Sequence, residues 1–322
     1  MSSDDLGLLE RRLLFVTGKG GVGKTSMAAA LALLASQQGR RTLVCEIDAK
    51  GDLADAFESG PLAFTPRELA PNLLGMAMDT EESLREYPKL QLKVPMFGRI
   101  GPVARTFDFV ADAAPGVKEI LTVGKLCYEV REGTYDLIVV DASATGHVIG
   151  QLAAPQAINE LVKVGRVRDQ TGWMVDMFSD PAITAAVIVS APEEMPVSET
   201  IELAERLRTE TDVFLAGVIV NKVLPELFGR REEEAFHALR QPAVLEALAA
   251  AIGSQVAQVG PVLDAAQLAV TLRRTRAGHL TRLRNELSKD VPFLYVPYLF
   301  NRDHGVRSTR ALAEALSAEL GF

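Results

Sequence analysis

"FVTGKGGVGKTSMAA", Phe15–Ala29, sets four glycines and two lysines between an apolar run and a helix-forming run. Glycine loses more backbone freedom on folding than any other residue, so glycines this dense mark a place where something must come close to the chain. Gly18, Lys19, Gly20, Gly21, Val22, Gly23, Lys24 and Thr25 fit the pattern G-x-x-x-x-G-K-[ST]. In that pattern successive backbone N–H groups turn inward around a phosphate. The flanks agree with it. "LLFVT" reads as a buried strand and "TSMAAALALLASQQ" as a helix, whose positive dipole end would face the same anion. Lys24 is placed to reach the β- and γ-phosphates, Thr25 to ligate Mg²⁺, and Ser26 to add a further nucleotide contact. The plain alternative is a ligand-free Gly-rich turn, which the strand–loop–helix context disfavours.

Outward from the loop, short β-rich runs alternate with helical patterns. The runs are Leu13–Thr17, Thr42–Ile47, Leu73–Met78, Leu137–Val140, Ala186–Val189, Val213–Val220 and Phe293–Val296. Most carry no charge, as strands buried on both faces require. Helical patterns cover Thr25–Gln38, Val117–Val130, Pro196–Arg208, Pro242–Ile252, Val262–Leu287 and Arg307–Ala318. The alternation predicts an α/β fold with a mainly parallel sheet flanked by helices. Two stretches break the pattern, one rich in Pro and Gly and one containing "GWMVDMFSD". Residues 80–132 and 155–181 are therefore expected to form a helical insertion on a single domain spanning 1–322.

A net charge of −8 works against non-specific nucleic-acid binding, which depends on neutralising phosphates. The two cysteines, Cys45 and Cys127, form no C-x-x-C, so the chain encodes neither a zinc site nor a redox pair on its own. Sparse cysteines fit a reducing compartment. The acidic N-terminus lacks the pattern of a signal peptide, and the longest apolar stretch, Ala182–Ala191, is too short to span a bilayer. The expectation is a cytoplasmic protein. Cys45 and Cys127 are expected in the core, as is the cluster Trp173, Met174, Met177 and Phe178, with client presentation its minority reading.

Lys19 adds a second reading to the loop. "GKGGVGKT" resembles the deviant phosphate loop of dimeric ATPases, in which the extra lysine reaches phosphate across a subunit interface. "IDAKGDLADAF" (Ile47–Phe57) resembles the switch I motif Asp-Pro-Ala-His-x-Leu-x-Asp-Ala-Phe of the arsenical-pump and tail-anchored-protein-targeting branch. Asp48, Leu53, Asp55, Ala56 and Phe57 match, while Lys50 and Gly51 replace Ala-His. "DASATGH" (Asp141–His147) resembles that branch's switch II, Asp-Thr-Ala-Pro-Thr-Gly-His. Asp141, Thr145, Gly146 and His147 match, and Ala144 replaces the proline. "IVNKV" (Ile219–Val223) resembles the strand end whose Asn recognises adenine, and "VPYLFNRDHGVRSTRAL", with Pro297, stands where a second adenine loop is found.

The resemblance implies an ATP-binding and ATP-hydrolysing switch. Lys24, Lys19 and Mg²⁺ supply positive charge, with Lys19 given no evident task inside its own subunit. Asp48 orients or deprotonates the attacking water, and Asp48 and Asp141 hold Mg²⁺ through water. Gly146 offers its N–H to the γ-phosphate, His147 carries that contact onward with Thr145, and Asn221 pairs with the adenine edge. Read without the motif, an Asp after a strand is a helix cap. The chain carries one phosphate loop, so a homodimer, or a heterodimer with a related ATPase half, is implied. An unidentified client protein or ligand completes the partners, with no nucleic acid and with membrane contact only through a partner. The missing cysteines argue against zinc, against an iron–sulfur cluster and against metalloid binding. The altered switch I keeps open a catalytically weak nucleotide-binding scaffold subunit.

Overall fold

A computed structural model describes residues 7–48, 50–79, 81–83, 86, 117–161, 166–226, 228–300 and 305–322. Eight strands form one sheet in the order β3-β4-β2-β5-β1-β6-β7-β8. They are β1 (Leu13–Gly18), β2 (Thr42–Glu46), β3 (Arg67–Ala70), β4 (Leu73–Ala77), β5 (Leu137–Ala144), β6 (Thr184–Ser190), β7 (Phe214–Val223) and β8 (Phe293–Pro297). Every pairing is parallel except β3 with β4. The parallel, helix-flanked architecture expected from the alternation is present. All seven anticipated strands form, and the antiparallel edge strand β3 is an addition. "RELA" has neither an apolar run nor alternation, and its residues are exposed or half-buried, so no sequence pattern marks it.

Helices cover both faces. The described ones are α1 (Lys24–Gln37), α2 (Asp52–Ala56), α3 (Val117–Glu132), α4 (Thr145–Leu161), α5 (Arg166–Ser179), α6 (Glu194–Glu210), α7 (Arg230–Leu239), α8 (Pro242–Ala251), α9 (Val256–Glu286) and α10 (Val306–Leu320). Successive strand residues point to opposite faces. Leu14, Val16, Val44, Val139 and Val187 accordingly pack with α1 and α10, while Leu13, Phe15, Cys45, Ile138 and Ile188 pack with α3, α4, α5 and α6. Helix α1 is buried on every side from Met27 to Ser36, which explains its uniformly small and apolar sequence.

The second core includes Cys45, Cys127, Met174, Met177 and Phe178, with Trp173 packed against it. Phe178 meets Phe15 edge-on, with ring centroids 5.8 Å apart. These residues serve packing. Of the expected insertion, much of 80–116 lies outside the described residues. Residues 117–132 form α3, 155–161 continue α4, and 166–179 form α5. Among the described residues no single helix is long and apolar enough to cross a membrane. Only α8 and α9 taken together pass on composition, and they bend by 111° at their junction.

The strand order positions the site. From β1 the chain moves to β2 on one side, and from β5 it returns past β1 to β6 on the other. The carboxyl ends flanking β1 therefore open a crevice where the connections diverge, which is where ligands bind in sheets of this kind.

Candidate functional site

At the carboxyl edge of β1 the chain turns through Gly18–Gly23 into α1. Gly18 has φ +145°, and a Cβ there would lie 2.2 Å from the Val189 carbonyl oxygen on β6. Gly23 has φ +96°, and its Cβ would lie 2.5 Å from the Asn221 amide nitrogen. Each position excludes other residues for reasons of both conformation and space. Asn221, at the end of β7, donates from Nδ2 to the Val22 carbonyl at 2.9 Å. Lys222 donates from Nζ to the Gly21 carbonyl at 2.8 Å. Both bonds use loop carbonyls and spend no loop N–H group.

The crevice is a cleft of about 690 Å³. Gly20, Gly21, Gly23, Lys24, Thr25 and Ser26 line it from the loop, and Glu46, Asp48, Lys50 and Asp52 from the end of β2. Asp141 closes it from β5, and Asn221, Pro297 and Tyr298 from β7 and β8. Register explains the convergence, because Asp141 on β5 stands level with Val16 on β1 and with Glu46 on β2.

The charges are mutually dependent. Burial pushes the Asp141 carboxyl up to about 6, against the Thr25 hydrogen bond and the Lys24 charge that favour its ionised form. Burial likewise lowers Lys24, with Asp141 opposing. Thr25 Oγ1 donates to Asp141 Oδ2 at 2.6 Å. That spends the hydroxyl proton and leaves oxygen lone pairs available to a cation. Asp141 Oδ1 is buried and finds no partner among the described residues. An orphaned carboxylate oxygen beside a hydroxyl whose proton is turned away suits a hard cation such as Mg²⁺, which takes few protein ligands and shares the rest with phosphate and water. Among the described residues no group of three or more His, Cys, Asp or Glu could hold a metal ion, so any such cation would depend on those phosphate oxygens.

Asp48 is the more exposed carboxylate. Its Oδ1 accepts from Ser143 Oγ at 2.8 Å, and its Oδ2 lies 3.9 Å from Lys50 Nζ. Behind it, Glu46 is buried and accepts from the backbone N–H groups of Lys50 at 3.0 Å and Gly51 at 3.1 Å. Burial raises the Glu46 carboxyl, and those two bonds oppose the shift.

Thr145, Gly146 and His147 begin α4. Gly146 and His147 are exposed and do not line the cleft. Lys19 differs most from expectation, because it does have a task in its own subunit. Its ammonium pairs with Glu199 on α6, and the same carboxylate accepts from Thr145 Oγ1 at 3.4 Å. The partner lies 180 residues away in sequence, a separation that no local pattern could reveal. Asn221 has also committed its amide in part, with Nδ2 on Val22 and Oδ1 accepting from the Lys222 N–H at 2.8 Å.

Glu46, Ser143, Gln151, Glu199 and Lys222 are the residues that sequence reasoning did not select. Glu46 gave a signal in retrospect, as a carboxylate closing a run of buried strand residues. Lys222 carried none, and its left-handed φ of +60° is unusual for a lysine.

Comparison with known proteins gives matches over most of the chain. The family model for anion-transporting ATPases matches residues 11–178 and 163–244. ATPase BagA of Mycobacterium tuberculosis is 31% identical over 301 residues, covering 89% of this chain and 86% of that protein. Putative arsenical pump-driving ATPase 2 of Aquifex aeolicus is 28% identical, over 67% of this chain and 81% of its own length. An ATPase ASNA1 homolog of Plasmodium falciparum is 24% identical, over 94% and 86%.

Proposed function

Because the chain belongs to the anion-transporting ATPase family, we propose that it binds and hydrolyses Mg-ATP as a dimeric switch and couples turnover to a client protein or ligand. One observation carries this reading. The phosphate loop, the Thr25–Asp141 pair and Asp48 come from three different strand ends and meet in one cleft.

Phosphoryl transfer calls for charge neutralisation and a positioned water rather than covalent chemistry. The loop N–H groups and Lys24 hold the β- and γ-phosphates. Thr25 would hold Mg²⁺ directly and Asp141 and Asp48 through water, and the ion would supply further neutralisation of the phosphate oxygens. Asp48 orients the attacking water and accepts its proton. The second N–H of Asn221 and the Pro297–Tyr298 segment receive the adenine, and the Gly146 N–H meets the γ-phosphate when the start of α4 closes on it. On association Lys19 exchanges Glu199 for a phosphate on the facing subunit. The domain is one unit, with α3 and α5 belonging to its helical insertion.

The pairing of Lys19 with Glu199 favours a second reading, in which the chain is a nucleotide-binding subunit of low turnover that awaits a more active related half. The primary test of the site is calorimetry of ATP with Lys24→Ala. Binding that is lost in the variant supports the assignment, and unchanged affinity overturns it. Turnover by the chain alone separates the switch from the weakly catalytic subunit.

A further inference from the structure

Apart from the Lys50 ammonium 3.9 Å from its Oδ2, Asp48 is held from outside the motif that surrounds it. Its Oδ1 accepts a hydrogen bond from the hydroxyl of Ser143 on β5, 95 residues away. Ser143 stands where the switch II motif quoted above has alanine, which offers no hydroxyl. The hydroxyl is buried, at 3% exposure. Its backbone is fixed from β1, because Thr17 Oγ1 donates to the Ser143 carbonyl at 3.2 Å. A third residue completes the arrangement: Gln151, on the second turn of α4, donates from Nε2 to Ser143 Oγ at 3.2 Å.

A serine hydroxyl has one proton and two lone pairs. With the Gln151 amide occupying a lone pair, the single proton is directed to Asp48. The chain Gln151→Ser143→Asp48 therefore has one sense, and it ties the carboxylate at the end of β2 to the helix that Thr145 and Gly146 begin. Gln151 is also costly as a purely structural residue. It is buried, and its Oε1 finds no partner among the described residues. A buried acceptor left unpaired is destabilising, so packing alone would favour an apolar side chain here.

We propose that Ser143, oriented by Gln151, is a positioning residue that holds Asp48 toward the attacking water and makes that hold depend on the placement of α4. The proposal rests on the reading of Asp48 as the residue that orients the water. With Oδ1 fixed by Ser143, Oδ2 is the oxygen left for the water, and movement of α4 would loosen the carboxylate through Gln151.

The test measures kcat for Mg-ATP, ATP affinity by calorimetry and thermal stability for Ser143→Ala, Ser143→Thr and Gln151→Leu, together with Asp48→Asn and the Ser143→Ala/Asp48→Asn double variant. Ser143→Ala should lower kcat about tenfold, the usual scale for one hydrogen bond to a charged group, with ATP affinity nearly unchanged. Ser143→Thr should restore most of the rate because it returns the hydroxyl. Gln151→Leu should lower kcat while leaving stability unchanged or raised. In the Asp48→Asn background, Ser143→Ala should have almost no further effect, since the two act as a unit. Full kcat in Ser143→Ala alongside an inactive Asp48→Asn overturns the positioning proposal and leaves Asp48 in its place. Activity retained in Asp48→Asn overturns the underlying reading instead. A rate loss in Ser143→Ala that tracks lost stability and is not rescued by threonine also overturns the proposal, since it marks a structural role.

Discussion

Asp141 is a carboxylate whose ionised form is opposed by its own burial. Desolvation raises its carboxyl to about 6, above the ordinary carboxylate value. Between about pH 4 and pH 6 the folded chain therefore binds more protons than the unfolded chain. The contribution of this group to stability falls as pH rises through that window and stays lost above it. Asp141→Asn removes the ionisation while keeping the shape. Without nucleotide or metal, the variant should be more stable than the parent near neutral pH by up to about 3 kcal/mol, and the difference should vanish toward pH 4. Thermal denaturation across pH in the presence of a chelator measures this. A variant less stable than the parent at neutral pH would show that Asp141 is held by native partners rather than left waiting for a cation. The same substitution should abolish the Mg²⁺ dependence of nucleotide binding.

At the scale of elements, the two ends of the site respond differently to a methyl group. At the end of β1, Gly18→Ala would drive a Cβ into the backbone of β6 at a φ that L-residues avoid, and no side-chain motion can relieve it. Gly146 at the start of α4 has nothing within 4 Å of its Cβ position, and alanine favours helix over glycine by about 1 kcal/mol. Gly18→Ala should therefore lower the melting temperature sharply or prevent folding, whereas Gly146→Ala should match or exceed the parent. Calorimetric scans of the two variants compare them directly, and equal melting temperatures would contradict the close packing of β1 on β6. This contrast also marks what the sequence made legible. Glycine spacing and uninterrupted apolar runs announced the loop and the parallel strands, because burial on both faces leaves few alternatives. Edge strand β3, half exposed, left no such trace. Nor did the full length of α4 with Pro155 in its interior, or the polar continuation of β5 through Asp141 and Ser143. Burial of Val148, Ile149 and Leu152 outweighs the propensity of that proline and of Gly150. The partners of Asp48, Lys19 and the loop carbonyls lie 95 to 201 residues away, and only the sheet order brings them together.

For the whole molecule, the described contacts join the nucleotide cleft to distant surfaces. Lys222, which holds the phosphate loop, accepts from Arg276 of the long helix α9 at 3.5 Å through its carbonyl, and Arg276 pairs with Glu193 at the start of α6. Lys19 is tied by Glu199 to that same α6. A change at the loop therefore has a continuous path to α6 and α9, provided those helices have two arrangements to choose between. On this account the isolated chain keeps its second loop lysine paired internally, and full activity requires a neighbour to release it. The most direct measurement is steady-state Mg-ATP hydrolysis by the purified chain over a wide range of protein concentration, with Asp48→Asn as the reference. The account predicts a specific activity that rises with concentration as subunits associate and is absent from Asp48→Asn. Turnover no greater than that of Asp48→Asn at every concentration, or full activity independent of concentration, would contradict it.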